Sequence, residues 1–579
     1  MSLIGLSRGQ AADLQSPAVP IGDSVDTLRF KDIRFLEREL SEFGKQKAYV
    51  IICINRTCPL VQRYLPKLNR MSKKFSGAGV QFIGLNVSED SISDIANHAI
   101  ATTCDFPFVK DIDHNCVRAL GVKRTPEAVV LDANFRLSYR GRIDNQYRIG
   151  GALPKPSSND LESAISAVVA GDPVAVSETP VDGCLITVSP VAELKDQLNF
   201  TDDVATLMHQ HCVECHRTGS EAPFALTNYE DVAAHGEMIA EVVRDRRMPP
   251  WYASSEDKHF INHRGLSRDE RETILQWVKE GMQRGEAKEF DEPAPIQTWS
   301  LGKPDKIIRA AESHNIPTDG YVPYKYSLLP YVFLHDTWLD AIQIVSDNPR
   351  VLHHCNLLAI PLGKKLSDAY FITGKVPGSQ PLTIDSEVGI LIPRGTALAL
   401  QIHYTTTGQP EKCRISLGLN YAGGLINKQF RHLLVKNTTF SIPPGDGNHR
   451  VSKSETLDTQ TTGLGLFTHM HLRGKDMIFL AHYPDGSSER LLTIPNYNFD
   501  WQMGYRWTPN SRQFPANTRF ECIAHFDNSE FNPFNPDAEA TVIEGQQTYH
   551  EMMYGFYFYT RDNEQLNLQI NPKNSRVIR

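Results

Sequence analysis

From about residue 306 to the end of the 579-residue chain, short strand-like runs alternate with Pro, Gly and Asn. Almost no stretch there carries the apolar period of an amphipathic helix. Such a segment can bury its apolar faces only as sheet on sheet. Two all-β domains of sandwich or jelly-roll type are therefore predicted, spanning 306–440 and 441–579. IPPGDGNH (442–449) is the candidate division, and the acidic, Pro-containing stretch 286–305 reads as a linker before them.

The front of the chain follows different rules. AYVIICI (48–54) and VQFIGLNV (80–87) are apolar β-rich runs, and between them Tyr64, Leu65, Leu68 and Met71 recur at helical spacing. EAVVLD (127–132) and LSYRGRI (137–143) read as a hairpin around Asn134. That order predicts an α/β domain with a central sheet over 22–175. Residues 195–290 read as a small all-α domain. Ser267 and Glu270 form a capping box, Ile274, Leu275, Trp277, Val278 and Met282 share a face, and Gly285 is the expected stop.

Composition narrows the function classes. The net charge of -8 does not favour a nucleic-acid partner. No run approaches the roughly 18 consecutive apolar residues of a membrane helix. The 10 cysteines are mostly far apart, which is not a dense disulfide framework. Residues 1–20 lack a basic region followed by a long apolar core, so they are not an intact signal peptide and read as the remnant of a trimmed one.

In the front domain Cys58-Pro59 follows a strand and precedes a helix, and Arg124-Thr125-Pro126 precedes another strand. A helix N-terminus lowers a thiol's pKa, which suits a nucleophilic cysteine. This pairing resembles the thioredoxin and peroxiredoxin superfamily, and the resemblance implies a cis Thr-Pro bond facing Cys58. The chain departs at Val61, where a C-x-x-C pair needs its second cysteine. A resolving role for Cys53, Cys104 or Cys116 requires the fold to bring one of them to Cys58. Both a docking module and a thiol peroxidase remain open for this domain.

Cys212-Val213-Glu214-Cys215-His216 is C-x-x-C-H, the spacing at which two thiols one turn apart bond to haem and the adjacent His ligates its iron. One covalent haem c is expected, held by Cys212, Cys215 and His216. Arg246-Arg247-Met248-Pro249-Pro250-Trp251 resembles the distal methionine loop of small bacterial cytochromes and nominates Met248 as second axial ligand, with Met238, His235 and His263 as rivals.

The last half groups its histidines in strand-like runs: His353-His354, His403, and His469-x-His471. Alternate strand residues share a face, so His469 and His471 can share a metal, and imidazole sets suit copper or zinc. In this order the motifs resemble the type II copper, ascorbate-dependent monooxygenases, the peptidylglycine and dopamine hydroxylase family. The resemblance covers roughly 310–579. It implies two coppers, one on His353, His354 and His403, the other on His469, His471 and Met552 of His550-Glu551-Met552, with Met553 as fallback. Gln401 also matches. Two positions depart: the arginine that binds a peptide carboxylate is Phe467, and a substrate-side tyrosine is Phe556. The disulfides of the animal enzymes are missing as well, since only Cys355, Cys413 and Cys522 lie in this half.

The expectation is a copper-dependent monooxygenase that hydroxylates a C–H bond of a small organic substrate with O₂. The haem passes on electrons from an external donor, and covalent haem implies a periplasmic or secreted location. A non-enzymatic electron-transfer protein and a thiol peroxidase acting through Cys58 are the alternatives.

Overall fold

The computed structural model describes residues 19–578 apart from 26–27, 113, 149–150, 154, 187–196, 221, 223, 255–256, 258, 287–297, 321 and 377. Residues 1–18, most of the stretch read as a signal-peptide remnant, and the centre of the 286–305 linker lie outside the described residues. The chain divides into two compact units, Met1–Glu193 and Leu194–Arg579. Among the described residues no helix is long and apolar enough to cross a membrane.

The first unit is a mixed sheet flanked by helices. Its strands are β1 (Arg29–Asp32), β2 (Glu37–Glu39), β3 (Ala48–Ile54), β4 (Val80–Asn86), β5 (Phe108–Asp111), β7 (Glu127–Asp132) and β8 (Leu137–Gly141), with a two-residue β6 (Arg124–Thr125) between β5 and β7. The sheet order is β2-β1-β5-β4-β3-β7-β8. β4 runs parallel to β3 and β5, and β7 is antiparallel to β3 and β8. β3 is buried at every position, as a central strand covered on both faces must be. Helix α1 (Pro59–Phe75) starts with Pro at its first position and buries Tyr64, Leu65, Leu68 and Met71, as the spacing predicts. Helices α2 (Ile92–Ala101), α3 (Asn115–Leu120) and α4 (Asp160–Ala170) complete the unit.

The predicted end at residue 175 is too early. Residues 177–186 run back along the domain: Arg140 N–H donates to the Ser177 carbonyl and Thr179 N–H to that of Arg140. A short strand β9 (Cys184–Leu185) then pairs antiparallel with β6.

In the second unit, α5 (Ala205–His211), α6 (Tyr229–Ala234), α7 (Gly236–Arg244) and α8 (Arg268–Lys279) pack around fully buried Trp277. Ser267 and Glu270 cap α8 reciprocally. The helix stops before Gly285: Gly281 takes positive φ, so Met282 lies beyond the helix although it packs on the same core.

Two β-sandwiches follow. In the first, the sheet holding β10 (Lys306–Arg309), β12 (Thr337–Ser346), β15 (Val388–Ile392) and β17 (Ile415–Tyr421) faces the sheet of β11 (Lys325–Val332), β13 (Leu352–Pro361), β14 (Tyr370–Lys375) and β16 (Thr396–Tyr404). Both sheets fill one core, Leu339 and Ile344 from one and Leu357 and Leu400 from the other. The second sandwich sets β18 (Arg431–Asn437), β20 (Thr461–His469), β23 (Gly504–Arg506) and β25 (Met553–Arg561) against β19 (His449–Thr456), β21 (Gly474–His482), β22 (Ser488–Ile494) and β24 (Arg519–Phe526).

The boundaries differ from the expected ones in three ways. β18 pairs with β25, so the second sandwich begins before residue 441. The tail returns to the first sandwich, where Ile570 packs on Trp338 and Ile426. Trp251, Ala253 and Phe260, from the helical segment, enter the core of the second sandwich, and Ser254 N–H donates to the Thr493 carbonyl at 2.8 Å.

Candidate redox and metal-binding sites

The first histidine set needs a local irregularity. Consecutive strand residues face opposite ways, so His353 and His354 of a regular strand could not share a site. The pairing of β13 with β16 shifts register between Leu352 and His354, a bulge at His353 that turns both rings to one side. His354 lies directly across from His403. Ligand nitrogens of His353, His354 and His403 all lie within 4.8 Å of one another. The Nδ1 atoms of His353 and His354 are 3.0 Å apart. Metal–nitrogen bonds of about 2.0–2.1 Å put adjacent ligand nitrogens at about this separation, so the set fits a metal.

The outer nitrogens are held. His353 Nε2 pairs with Asp500 Oδ1 at 3.0 Å, and Tyr324 Oη lies 3.2 Å from His354 Nε2. These contacts aim both Nδ1 atoms inward, the orientation that carboxylate and hydroxyl partners give ligating imidazoles. Burial, then the neighbouring histidines, pushes His354 well down, and burial brings His403 to about 4. Both rings are therefore neutral and able to ligate.

The second set lies at the end of β20. His471 is past the strand, yet its ring centroid is 5.0 Å from that of His469. His469 Nδ1–H donates to Gln502 Oε1 at 2.6 Å, and Gln502 Nε2 donates to the Phe499 carbonyl at 2.9 Å, which fixes the amide. His471 Nδ1–H donates to the His550 carbonyl at 3.2 Å. With the proton on Nδ1, each ring carries its lone pair on Nε2. Burial, then His469, lowers His471 to about 3.

Glu551 ties the backbone of Met552, the expected third ligand, to this pair. Its fully buried carboxylate accepts from the backbone N–H groups of His471 (2.8 Å), Arg473 (2.6 Å) and Met552 (3.3 Å). Arg473, 1% exposed, donates to Asn528 Oδ1 and to the Tyr549 and Asp537 carbonyls. Met553 belongs to the sandwich core. Met552 is on the opposite face with Tyr554, whose ring lies 6.2 Å from His469. That placement favours Met552 over Met553.

One loop touches both sets. Between β22 and β23, the Phe499 ring lies 6.3 Å from His353, 5.8 Å from His354 and 5.9 Å from His471. Asp500 holds His353 and Gln502 holds His469. Gln401, half-buried, accepts from Asn356 Nδ2 at 3.0 Å and donates to Tyr326 Oη at 2.9 Å. It shares the strand face of His403. Sequence reasoning passed over Phe499, Asp500, Gln502 and Tyr324; none carries a metal-ligand spacing. Glu551 lay in plain view inside His550-Glu551-Met552.

Beside the second set is an aromatic wall. Phe467, two residues before His469 on the same face, meets Phe371 of the first sandwich (6.4 Å) and Phe556 (5.7 Å). Phe371 and Phe556 are 5.4 Å apart, and His432, made less basic by burial, lies 5.7 Å from Phe556.

In the helical segment the Cys212 carbonyl accepts from Cys215 N–H (3.1 Å) and His216 N–H (2.9 Å), so the C-x-x-C-H residues form one turn that fits covalent haem. His216 Nδ1–H donates to the Phe224 carbonyl at 3.1 Å, which puts the ring's lone pair on Nε2. Phe224 stacks on His235 at 4.1 Å and lies 5.0 Å from His216. Met238 is 57% exposed, and His263 packs against Trp251 at 4.9 Å. Met248 is half-buried in the turn after α7, with its N–H on the Val242 carbonyl and a cis bond to Pro249.

A contact chain leaves this motif. Glu214 pairs with Arg264 at 3.9 Å, and Arg264 Nη1 donates to the Gly378 carbonyl at 2.7 Å. A Cβ on Gly378 would sit 3.4 Å from Arg264 and 3.8 Å from the Trp501 ring. Trp501 stands between Asp500 and Gln502.

In the first unit Cys58 is the N-cap of α1 and the Thr125-Pro126 bond is cis. Cys58 Sγ donates to the Thr125 carbonyl at 3.2 Å. None of the three expected partners reaches it. Cys53 is sealed in β3, Cys116 Sγ bonds the Arg29 carbonyl, and Cys104 contacts Thr102. The thiol that does meet Cys58 is Cys184, which sequence reasoning missed because it lies beyond the predicted domain.

No curated protein matches the chain. A hypothetical protein from Sinorhizobium meliloti 1021 is 25% identical, with a TM-score of 0.28, over 30% of this chain and 97% of its own. An uncharacterized conserved protein from Geobacillus kaustophilus is 22% identical (TM-score 0.28; 30% and 95%), and a peroxidoxin from Mycobacterium tuberculosis 17% (TM-score 0.21; 26% and 95%). Residues 21–146 match the AhpC/TSA family, and the N-terminal domain is thioredoxin-like.

Proposed function

We propose that residues 306–578 form a copper monooxygenase and that the helical segment before them carries a covalent haem that feeds it electrons. One copper would be held by His353 and His354 through Nδ1 and by His403, the other by His469 and His471 through Nε2 and by Met552. Bound copper supplies O₂ chemistry and one-electron storage, and haem on Cys212, Cys215 and His216 supplies electrons singly. The observation that carries the reading is the Phe499–Gln502 loop, whose side chains contact both histidine sets.

The protein's own residues do the positioning. Asp500 and Tyr324 orient one set, and Gln502 and the His550 carbonyl the other. Glu551 locks the backbones of His471 and Met552 to a single carboxylate. Phe371, Phe467 and Phe556 offer a wall without charge beside the second set, which suits a neutral, apolar or aromatic substrate and excludes water. Covalent haem implies an extracytoplasmic location and an external electron donor.

Oxygen uptake by the copper-loaded, haem-bearing full chain tests the proposal. Uptake with ¹⁸O incorporated into a neutral aromatic compound supports it. Uptake that is unaffected by removing copper, or absent across neutral and carboxylate panels alike, overturns it.

A further inference from the structure

The first unit holds a second redox arrangement, independent of the metal ligands. Cys58 is 1% exposed, at the N-terminus of α1. Cys184, partly exposed, meets it from β9, where it is the direct register partner of Thr125, the residue whose carbonyl binds Cys58 Sγ. The segment carrying Cys184 is firmly placed. Tyr139 Oη and Thr179 Oγ1 are 2.7 Å apart, Arg124 Nη1 donates to the Gly183 carbonyl at 2.6 Å, and Ile186 N–H donates to the Lys123 carbonyl at 3.0 Å. Gly183 itself lies so close to β6 that a Cβ would sit 2.3 Å from the Thr125 carbonyl oxygen. A side chain there would push Cys184 off Cys58.

We infer that Cys58 and Cys184 form a reversible disulfide that exchanges with the exposed dithiol of a partner, Cys184 being the sulfur attacked and Cys58 the one released. A partner thiolate attacks Cys184 Sγ, the Cys58–Cys184 bond breaks, and Cys58 departs as thiolate. The partner's second thiol, losing its proton, then displaces Cys184. The domain gains two electrons and the partner is left with a disulfide. Exposure assigns the roles, since only Cys184 can be reached from outside. In the reduced pair the two thiols also differ in acidity. Burial raises Cys58, but hydrogen bonds, that from the Cys184 thiol first, outweigh it and leave this thiol below its ordinary value in the reduced pair. Burial and the hydrogen bond to Cys58 push Cys184 up to about 11. The pair replaces the C-x-x-C that Val61 rules out, and it lies partly outside the 21–146 family match.

Equilibrating the full chain in reduced and oxidised glutathione, acid-quenching, and mapping peptides by mass spectrometry tests this. The expected result is a Cys58–Cys184 linkage that appears and disappears as one two-electron couple. Cys58→Ser should accumulate a glutathione adduct on Cys184, whereas Cys184→Ser should leave the sealed Cys58 largely unmodified; circular dichroism checks that both variants fold. Free Cys58 and Cys184 at every poise, or folded Cys184→Ser taking up glutathione on Cys58 as fast as Cys58→Ser does on Cys184, overturns the assignment.

Discussion

Asp500 Oδ1 lies 3.0 Å from Nε2 of His353, on the side of the ring away from the other histidines of its set. Two residues on, Gln502 makes the equivalent contact with His469. A partner behind a ligating imidazole fixes its tautomer and orientation. Asp500→Asn should weaken copper at the first set by about 10–100-fold and spare the second. Competition titration with a copper chelator reads both affinities; equal loss at both would show that the loop acts only as scaffold.

Met552 and Met553 separate cleanly by experiment. Met552→Ile should lower Cu(I) affinity at the second set with little change in thermal stability, because a thioether favours Cu(I) and the side chain faces away from the core. Met553→Ile should keep Cu(I) and lose under about 1.5 kcal/mol of stability, as a volume-conserving core exchange does. The reverse pattern would place the ligand one residue later.

For the haem, Met248→Ala should abolish iron–sulfur absorption and lower the reduction potential. His235, stacked on the ring that also meets His216, is the competing ligand. A spectrum unchanged by Met248→Ala but altered by His235→Ala would assign histidine instead.

Phe467→Arg puts a charge into the Phe371–Phe556 wall. Turnover of a neutral aromatic substrate should fall at least about tenfold, mainly through KM, because an unpaired charge resists desolvation. Carboxylate-bearing analogues should gain relative to it. Unchanged kinetics would place substrate elsewhere.

Much of the chain was legible before folding. β3 coincides with its apolar run, and the Ser267–Glu270 box caps α8 where the sequence puts it. His353 and His354 were visible as residues but not as a geometry. Strand alternation places His353 and His354 on opposite faces, and the bulge that reunites them has no glycine to announce it. The Phe499–Gln502 loop has neither period nor ligand spacing, and its role arises only when β22 and β23 bring it to both sets. Cys184 was hidden for a similar reason: a two-residue strand far along the chain from Cys58 closes on β6 through backbone pairing, which side-chain patterns do not encode.

The Glu214–Arg264–Gly378–Trp501 chain leads from the haem motif to the loop. In anaerobic stopped flow, reduced haem in Cu(II)-loaded protein should oxidise at a rate independent of protein concentration, and Trp501→Leu should slow it. A rate that scales with concentration would make the transfer intermolecular.

Metal counting on the reconstituted full chain tests the central claim most directly. Two coppers per chain with little zinc are predicted, falling to one in His353→Ala and to one, at the other site, in His469→Ala. One metal per chain in all, absent from both variants, or zinc in place of copper at both sets, would contradict it.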